Sequence, residues 1–387
     1  MASNVVILGA GIGGLSVVRE LRDSGVDLAD VDITLVAEDF DHYLGFTLPW
    51  VMRGWRDEPS VPIRPAADTL AGISTVTGSA CDVDPVGRTV GLADGRRIGF
   101  DALVIATGAR NAIDRVPGLG DAVDSGTAVH YYSAAAAAGA HRALQAFTGG
   151  RLVFLITALP YRCPVAPYEG TLLAADLLRS TGVRDATEIA IYTPERNPMP
   201  SAGPHAGPEL VKMLNANGIG FHGEHDVARI DADGRLIEFR DGTSTGYDLL
   251  VFIPPHEPTL KLGDADWIAV DPVTMATEHP GIWAVGDTTV IASSSGHPLP
   301  KAATFARNGA AAAARSVLHH LGRSTQAGTL SGRGYCYIDT GDHRSTRGLG
   351  DFFAHPHPDI RLSPPSTQMY ADKQQEERDW RAAWRSA

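Results

Sequence analysis

A glycine-rich turn near the amino terminus limits this chain to a small number of folds. The apolar run Val5–Leu8 leads directly into Gly9-Ala10-Gly11-Ile12-Gly13-Gly14, and a helical pattern of apolar residues follows. Gly9, Gly11 and Gly14 match the dinucleotide-binding fingerprint, in which bare backbone at the amino end of a helix approaches a pyrophosphate. This order of strand, turn and helix favours a nucleotide site over a glycine turn without a ligand.

Composition narrows the class of protein. The 387 residues are enough for two or three domains, and 44% hydrophobic with 20% charged residues is typical of globular proteins. A net charge of −12 argues against a nucleic-acid partner or an anionic membrane held by bulk charge. Three cysteines cannot form a disulfide framework, so any cysteine pair is expected to do redox chemistry. With no apolar run of about 20 residues and a strand from Val5 onward, we expect a cytoplasmic protein with at most peripheral membrane contact.

The second predicted strand, residues 32–38, ends in an acidic residue. An acid at the end of this strand hydrogen-bonds the adenosine ribose in dinucleotide-binding folds. The usual position aligns with Ala37, one residue before Glu38. Glu38 is therefore either a ribose contact or a solvated loop acid.

An internal duplication predicts two domains of the same kind. Residues 82–105 and 226–253 share a plan of short strands with Asp-Gly hairpin signals feeding an apolar strand, and each follows a strand–helix–strand pattern. We predict an α/β fold with two Rossmann-like dinucleotide-binding domains, the second inserted in the first, and a C-terminal segment. The predicted bounds are 1–115 with 245–325, then 116–244, then 326–387.

Two later turns carry a family resemblance. Thr107-Gly108 follows the apolar strand of the first copy, and Gly286-Asp287 ends a later strand. With the glycine fingerprint, these turns resemble the flavoproteins with two dinucleotide-binding domains, the superfamily of disulfide reductases and type II NADH dehydrogenases. The resemblance implies FAD in the first domain, with Asp287 on its ribityl chain.

The second domain departs from that superfamily where NAD(P)H normally binds. Its first strand, residues 151–156, runs into residues 157–164, which contain no glycine fingerprint. Leu159 and Pro160 place side chains where a pyrophosphate needs bare backbone, and proline has no N–H to donate. A nicotinamide nucleotide site is therefore disfavoured.

The segment that replaces the fingerprint resembles a known active site. Tyr161-Arg162-Cys163-Pro164-Val165-Ala166-Pro167-Tyr168-Glu169 is similar to the redox segment of sulfide:quinone oxidoreductases and of the flavoprotein subunit of flavocytochrome c sulfide dehydrogenase. Three other segments resemble the same family: Pro49-Trp50-Val51 beside the isoalloxazine, Leu299-Pro300-Lys301 at the pyrimidine edge, and Gly334–Asp339 with the second redox cysteine.

The resemblance implies a redox pair, Cys163 and Cys336. Hydrosulfide, or a related small thiol or persulfide, would attack Cys163, release Cys336 as thiolate and pass two electrons to FAD. The electrons would go on to a quinone or another non-nicotinamide acceptor. A reactive thiolate needs a lowered pKa, which we expect from Arg162 and from a helix starting near Pro167.

Other polar residues have roles that stay open. Glu169 is either a proton-handling group or an acid that stabilises a helix start, and Lys301 is a candidate for stabilising negative charge on reduced flavin. His205 is best interpreted as an exposed loop histidine, and Cys81 as a small packed hydrophobe. Residues 341–366 are predicted to be irregular, and their histidines form no recognisable metal set, so we expect no metal.

The chain also lacks features of its relatives. No cysteine occurs in residues 124–130, where many quinone-linked members carry a third one, or in residues 39–44, where a flavin-linking one would lie. We therefore expect non-covalent FAD. Trp380 and Trp384, one helical turn apart, favour a C-terminal helix that packs on the body of the chain or on the partner in a homodimer, rather than one that docks on a membrane.

Three alternative functions remain at this point. One is an NAD(P)H-dependent FAD disulfide or quinone reductase, which the loop at Leu159 and Pro160 argues against. Another is a soluble flavoprotein that delivers sulfur to a biosynthetic pathway. The last is a flavin-loaded partner protein without catalysis.

Overall fold

The computed structural model describes residues 2–293 and 296–386. The helices are α1 (Ile12–Arg22), α2 (Leu48–Arg53), α3 (Leu119–Asp124), α4 (Ala134–Ala146), α5 (Ala166–Thr181), α6 (Ala206–Ala216), α7 (Ala303–His320) and α8 (Thr367–Ala383). The strands are β1 (Ser3–Leu8), β2 (Val31–Ala37), β3 (Ile73–Thr77), β4 (Ala80–Asp84), β5 (Thr89–Leu92), β6 (Arg97–Gly99), β7 (Ala102–Ile105), β8 (Ala109–Asn111), β9 (Ala128–Val129), β10 (Gly150–Ile156), β11 (Thr187–Tyr192), β12 (Ile219–His222), β13 (Val227–Asp231), β14 (Leu236–Phe239), β15 (Ser244–Gly246), β16 (Leu249–Ile253), β17 (His256–Pro258), β18 (Ile268–Ala269), β19 (Ile282–Ala284), β20 (Thr289–Val290), β21 (Arg333–Gly341), β22 (Arg344–Asp351) and β23 (Arg361–Leu362).

The first sheet has five parallel strands in the order β19-β7-β1-β2-β3. Leu8 pairs with Val36 on one side and with Ile105 on the other, so these strands end level with one another. The turns that follow them therefore lie along one edge of the sheet, which is where nucleotides bind in open parallel sheets.

The second sheet repeats this arrangement in the order β12-β11-β10-β16-β9, again with all strands parallel. Two parallel sheets of this kind confirm the predicted α/β fold with two Rossmann-like cores. One boundary needs correction. The strand Leu249–Ile253 pairs with β10 in the second sheet, whereas the predicted boundary at 244/245 assigned it to the first domain. The other domain bounds stay predictions.

The two predicted meanders are three-stranded antiparallel sheets, β4-β5-β6 and β13-β14-β15. Cys81 lies on β4 and is exposed, so its interpretation as a packed hydrophobe is wrong. Strand β4 is an edge strand of a small sheet, where burial on both sides is not available.

The C-terminal segment forms a third unit, the antiparallel sheet β21-β22-β23. The prediction of irregular structure from residue 341 is wrong, because β22 pairs with β21 over most of its length. The hairpin turns through Asp342 and His343, both with positive φ near 50°. Such a turn usually shows an Asn-Gly or Asp-Gly signal in the sequence, and Asp-His does not.

Helix α8 packs on the body of the chain through the face that carries its tryptophans. The Trp380 indole N–H donates to Nε2 of His42 at 2.8 Å, and the Trp384 carbonyl accepts from the Ala66 N–H at 3.0 Å. Both indoles are buried, as favoured from the sequence. Within the described residues, no helix combines the length and apolar character needed to cross a membrane.

Because Trp380 fills the space between α8 and the first domain, Trp380→Ala should lower the free energy of unfolding by about 3–5 kcal/mol. Trp380→Phe keeps most of the ring but loses the bond to His42, so it should cost about 1 kcal/mol. Urea denaturation of the FAD-loaded proteins measures both changes. Asp379→Ala on the exposed face is the control, and an equal effect of all three variants would contradict this packing role.

Candidate active site

A cavity of about 530 Å³ lies where the carboxyl edge of the first sheet meets α5, β21 and α8. Most of the residues predicted from the sequence line it. They are Gly9, Gly11, Glu38, Pro49, Thr107, Gly108, Cys163, Glu169, Gly286, Asp287, Lys301 and Cys336. Residues far apart in the chain thus line one cavity. Gly14 is the one predicted cofactor residue that does not line it.

The three fingerprint glycines are needed at their positions for different local reasons. A Cβ on Gly9, whose φ is +102°, would lie 2.4 Å from the carbonyl oxygen of Ala106, and one on Gly14 would lie 1.8 Å from that of Gly9. These two glycines allow the strand, turn and helix to pack closely. A Cβ on Gly11 would meet nothing within 4 Å, so the backbone there faces open space that a pyrophosphate can approach.

The polar groups that line the cavity fit FAD. The Thr107 hydroxyl is buried and has no hydrogen-bond partner among the described residues. Glu38 lies directly after β2 and accepts a hydrogen bond from the Ser79 hydroxyl. Burial raises the pKa of Asp287. These groups would hold the ribose, pyrophosphate and ribityl parts of the cofactor, whose isoalloxazine supplies a two-electron acceptor when bound.

The Cys163 segment is held by its backbone. The Cys163 N–H donates to the carbonyl of Lys301 at 2.7 Å, and the Tyr132 hydroxyl donates to the carbonyl of Arg162 at 3.1 Å. Tyr131 likewise donates to the carbonyl of Ala166, at 2.7 Å. Cys163 itself has a φ of +60°, which is uncommon for a residue with a Cβ and places its sulfur at the start of α5.

Burial determines the pKa of the Cys163 thiol. It is raised to about 11, mainly by burial and next by the charge of Glu169, although the N–H groups of Val165 and Ala166 lower it. The expectation of a lowered pKa is therefore wrong for this structure. Arg162 does not help, because its guanidinium donates to the Asn111 side chain at 2.7 Å and lies over the Tyr132 ring.

Cys336 lies on β21, which packs directly against α5. Cys336 lines the same cavity as Cys163. Its pKa is raised well above its usual value, first by burial and then by the charge of Cys163. Both residues are free thiols here.

A buried ion-pair network lies beside the two cysteines. Nζ of Lys373 donates to Glu169 at 2.5 Å and to Asp339 at 2.7 Å, and all three side chains are at most 2% exposed. Asp339 also accepts from the Trp50 indole at 2.5 Å. Burial raises the pKa of Glu169 well above its usual value, while Lys373 and other hydrogen bonds hold that of Asp339 low. The charges of both carboxylates raise the pKa of Lys373.

Lys373 and Asp339 were not predicted as site residues, although the sequence contains a signal for Lys373. Positions 373, 377, 380 and 384 share one face of a helix, so Lys373 lies on the same face as the two tryptophans. A charged residue on an apolar face indicates a buried partner. Nothing in the sequence identifies Glu169 as that partner, 204 positions away.

Two other residues predicted from the sequence, Lys301 and His205, have polar partners within the protein. Lys301 donates to the carbonyls of Asp287 and Thr289, both at 2.8 Å, and sits 3.5 Å from the centre of the Trp267 ring. Its pKa is lowered to about 8 by burial, and its role toward the flavin stays a prediction. His205 is not among the residues that line the cavity and lies 3.6 Å from Asp359. Among the described residues, no group of three or more His, Cys, Asp and Glu side chains could hold a metal ion.

A nucleotide-type sheet, a second such sheet and two cysteines at one cavity define a flavoprotein oxidoreductase with two dinucleotide-binding domains. Residues 3–310 match the family described as pyridine nucleotide-disulphide oxidoreductase. The chain belongs to this family, and it is an FAD-dependent enzyme.

Its relatives confirm the narrower resemblance. The chain is 26% identical over 379 residues to the sulfide-quinone reductase of Aquifex aeolicus, covering 92% of this chain and 84% of that protein. It is 24% identical over 314 residues to the mitochondrial sulfide:quinone oxidoreductase of Dictyostelium discoideum, covering 76% of this chain and 66% of that protein. The crystal structure of the Aquifex aeolicus sulfide:quinone oxidoreductase superposes with a TM-score of 0.85 at 19% identity, covering 99% of this chain and 92% of that one.

Replacing Lys373 should destabilise the folded protein, because two buried carboxylates lose their cation. Lys373→Met should lower the free energy of unfolding by about 3–5 kcal/mol at pH 7, because it leaves buried carboxylates without a cation. The deficit should shrink at pH 5, since the folded variant then binds more protons than the unfolded chain. Urea denaturation at both pH values measures this, with the exposed Lys212→Met as control. A deficit independent of pH would contradict the ionic role.

The raised pKa of Cys163 predicts how fast its thiol is alkylated. In the reduced protein the rate with iodoacetamide should rise about tenfold per pH unit between pH 7 and 10, because the thiolate fraction does so below a pKa of about 11. Glu169→Gln should raise the rate at a given pH by removing a neighbouring negative charge. Peptide mass spectrometry measures Cys163, with exposed Cys81 as the internal reference. A rate that is level above pH 7 would disprove the raised pKa.

Proposed function

We propose that this enzyme oxidises sulfide, or a related small thiol or persulfide, to sulfane sulfur. The observation that carries the proposal is that Cys163 and Cys336 line the same cavity as the glycine turn, Thr107 and Asp287. The similarity to sulfide:quinone oxidoreductases supports it. Quinone, or another non-nicotinamide acceptor, would receive the electrons.

The proposed cycle starts from a disulfide between Cys163 and Cys336. Hydrosulfide attacks the Cys163 sulfur and the S–S bond breaks, which leaves a persulfide on Cys163 and a thiolate on Cys336. The thiolate then joins the outer sulfur of the persulfide. This step forms a trisulfide and releases one proton and two electrons, for which bound FAD would be the acceptor. Further rounds lengthen the sulfur chain until the product leaves.

Glu169 is the proposed proton carrier of this cycle. Its carboxyl lines the cavity and its charge acts on the pKa of Cys163. Burial raises the pKa of Glu169 itself, which makes its ionised form a stronger base. Lys373 holds one of its oxygens at 2.5 Å. A carboxyl in this position can take up the proton that each sulfur–sulfur bond formation releases, without admitting bulk water.

An NAD(P)H-dependent reaction is the weaker candidate. The turn after β10 contains Leu159 and Pro160, and a nucleotide there would meet side chains in place of bare backbone. We therefore expect NADH to leave the flavin oxidised under conditions in which sulfide reduces it within the mixing time of a stopped-flow experiment.

Both cysteines should be needed for flavin reduction by sulfide. Cys163→Ala and Cys336→Ala should each slow anaerobic bleaching of the flavin by roughly 10³-fold, because the residues act as one unit. Cys81→Ala is the matched control and should react like the parent protein.

The same titration, followed in the visible spectrum, should show a long-wavelength thiolate–flavin band in the parent protein and none in Cys336→Ala. Bleaching of either variant at the parental rate would overturn the role of the pair. It would favour a flavin-loaded protein in which these thiols have no redox role.

A further inference from the structure

A buried carboxylate follows the second strand of the second sheet. Strand β11 ends at Tyr192, and Glu195 comes three residues later. In a dinucleotide-binding domain, this is the region of the acid that accepts hydrogen bonds from the ribose hydroxyls. In this chain the side chain is 6% exposed and turned into the protein.

Hydroxyl groups of the protein itself satisfy this carboxylate. One oxygen, Oε2 of Glu195, accepts from Tyr161 at 3.0 Å, from Thr193 at 3.3 Å and, through a shorter contact, from Tyr168. The N–H of Met199 also bonds the carboxylate. The group that would hold a ribose is thus already occupied by internal donors.

Both tyrosines belong to the redox segment. Tyr161 lies two residues before Cys163. Tyr168 is in the first turn of α5, the helix that begins three residues after Cys163. The two rings are buried. Their bonds to one carboxylate therefore join the loop before the cysteine and the helix after it to the turn that follows β11.

We infer that Glu195 is a positioning residue for Cys163, and that the hydroxyls of Tyr161 and Tyr168 take the place of the ribose hydroxyls of a bound nucleotide. The acid of a nucleotide site thereby becomes an internal support of the redox loop. The inference rests on the proposed function for its catalytic consequence, but the geometry that it assigns to Glu195 can be tested without sulfide.

The charge of Glu195 is what makes the support strong. Burial raises the pKa of Glu195 above its usual value, and the hydrogen bonds from Tyr168, Tyr161 and Thr193 to the ionised form offset part of that rise. Hydrogen bonds to a charged acceptor are stronger than those between neutral groups. Glutamine has nearly the same shape, but its NH₂ group would replace one of the two accepting oxygens and would then face a hydrogen-bond donor.

The test compares Glu195→Gln and Tyr161→Phe with Tyr192→Phe in the FAD-loaded protein. Tyr192 is the matched control, because its buried hydroxyl donates at 3.3 Å to Thr245, which lies outside the redox loop. The first measurement is the alkylation rate of Cys163 with iodoacetamide, by peptide mass spectrometry. The second is the rate of flavin reduction by sulfide, with the long-wavelength thiolate–flavin band.

We expect Glu195→Gln to speed alkylation of Cys163 by about tenfold, since the loop opens more easily, and to slow flavin reduction by about the same factor with a weaker band. Tyr161→Phe should act in the same directions, and it decides the question if Glu195→Gln does not fold. Tyr192→Phe should leave both rates unchanged.

Parental alkylation rates in both loop variants would overturn the inference, and so would an equal change in Tyr192→Phe. If sulfide fails to reduce the parent protein while Glu195→Gln still speeds alkylation, the proposed function is wrong and the role of Glu195 stands.

Discussion

The ammonium group of Lys373, held between Glu169 and Asp339, is the interaction on which the site depends. It joins α8 to α5, which starts beside Cys163, and to β21, which carries Cys336. Bringing three ionisable groups out of water is costly unless each finds a partner of opposite charge. The network is therefore satisfied only when α5, β21 and α8 are all in place.

The second sheet keeps a nucleotide-binding plan but lacks the glycine turn of the first. Four of its five strands repeat the order of the first sheet, yet the segment after β10 carries Cys163 instead of glycines. The first sheet uses bare backbone to approach a ligand, as at Gly11. The second uses side chains to hold its own loop, as in the bonds from Tyr161 and Tyr168 to Glu195.

Local signals predicted the fold well. The glycine turn, the apolar strands and the repeated meanders depend on short-range periodicity and turn chemistry, and the structure has both parallel sheets where these signals lie. The exceptions have physical reasons. Strand β22 was missed because Asp342 and His343 make a turn that usually needs Gly. The burial of Cys163 outweighs the N–H groups beside its sulfur, so its pKa rises instead of falling.

The class of fold, the glycine turn for FAD and the two cysteines could be predicted without a structure, because each is encoded within a few neighbouring residues. The surroundings of those cysteines depend instead on tertiary packing. The contact of Lys373 with Glu169 and the burial of Glu195 join positions that are distant in the chain or depend on what covers them. Such contacts depend on how whole elements pack and on which charges lose water, and a single sequence carries no local signal for either.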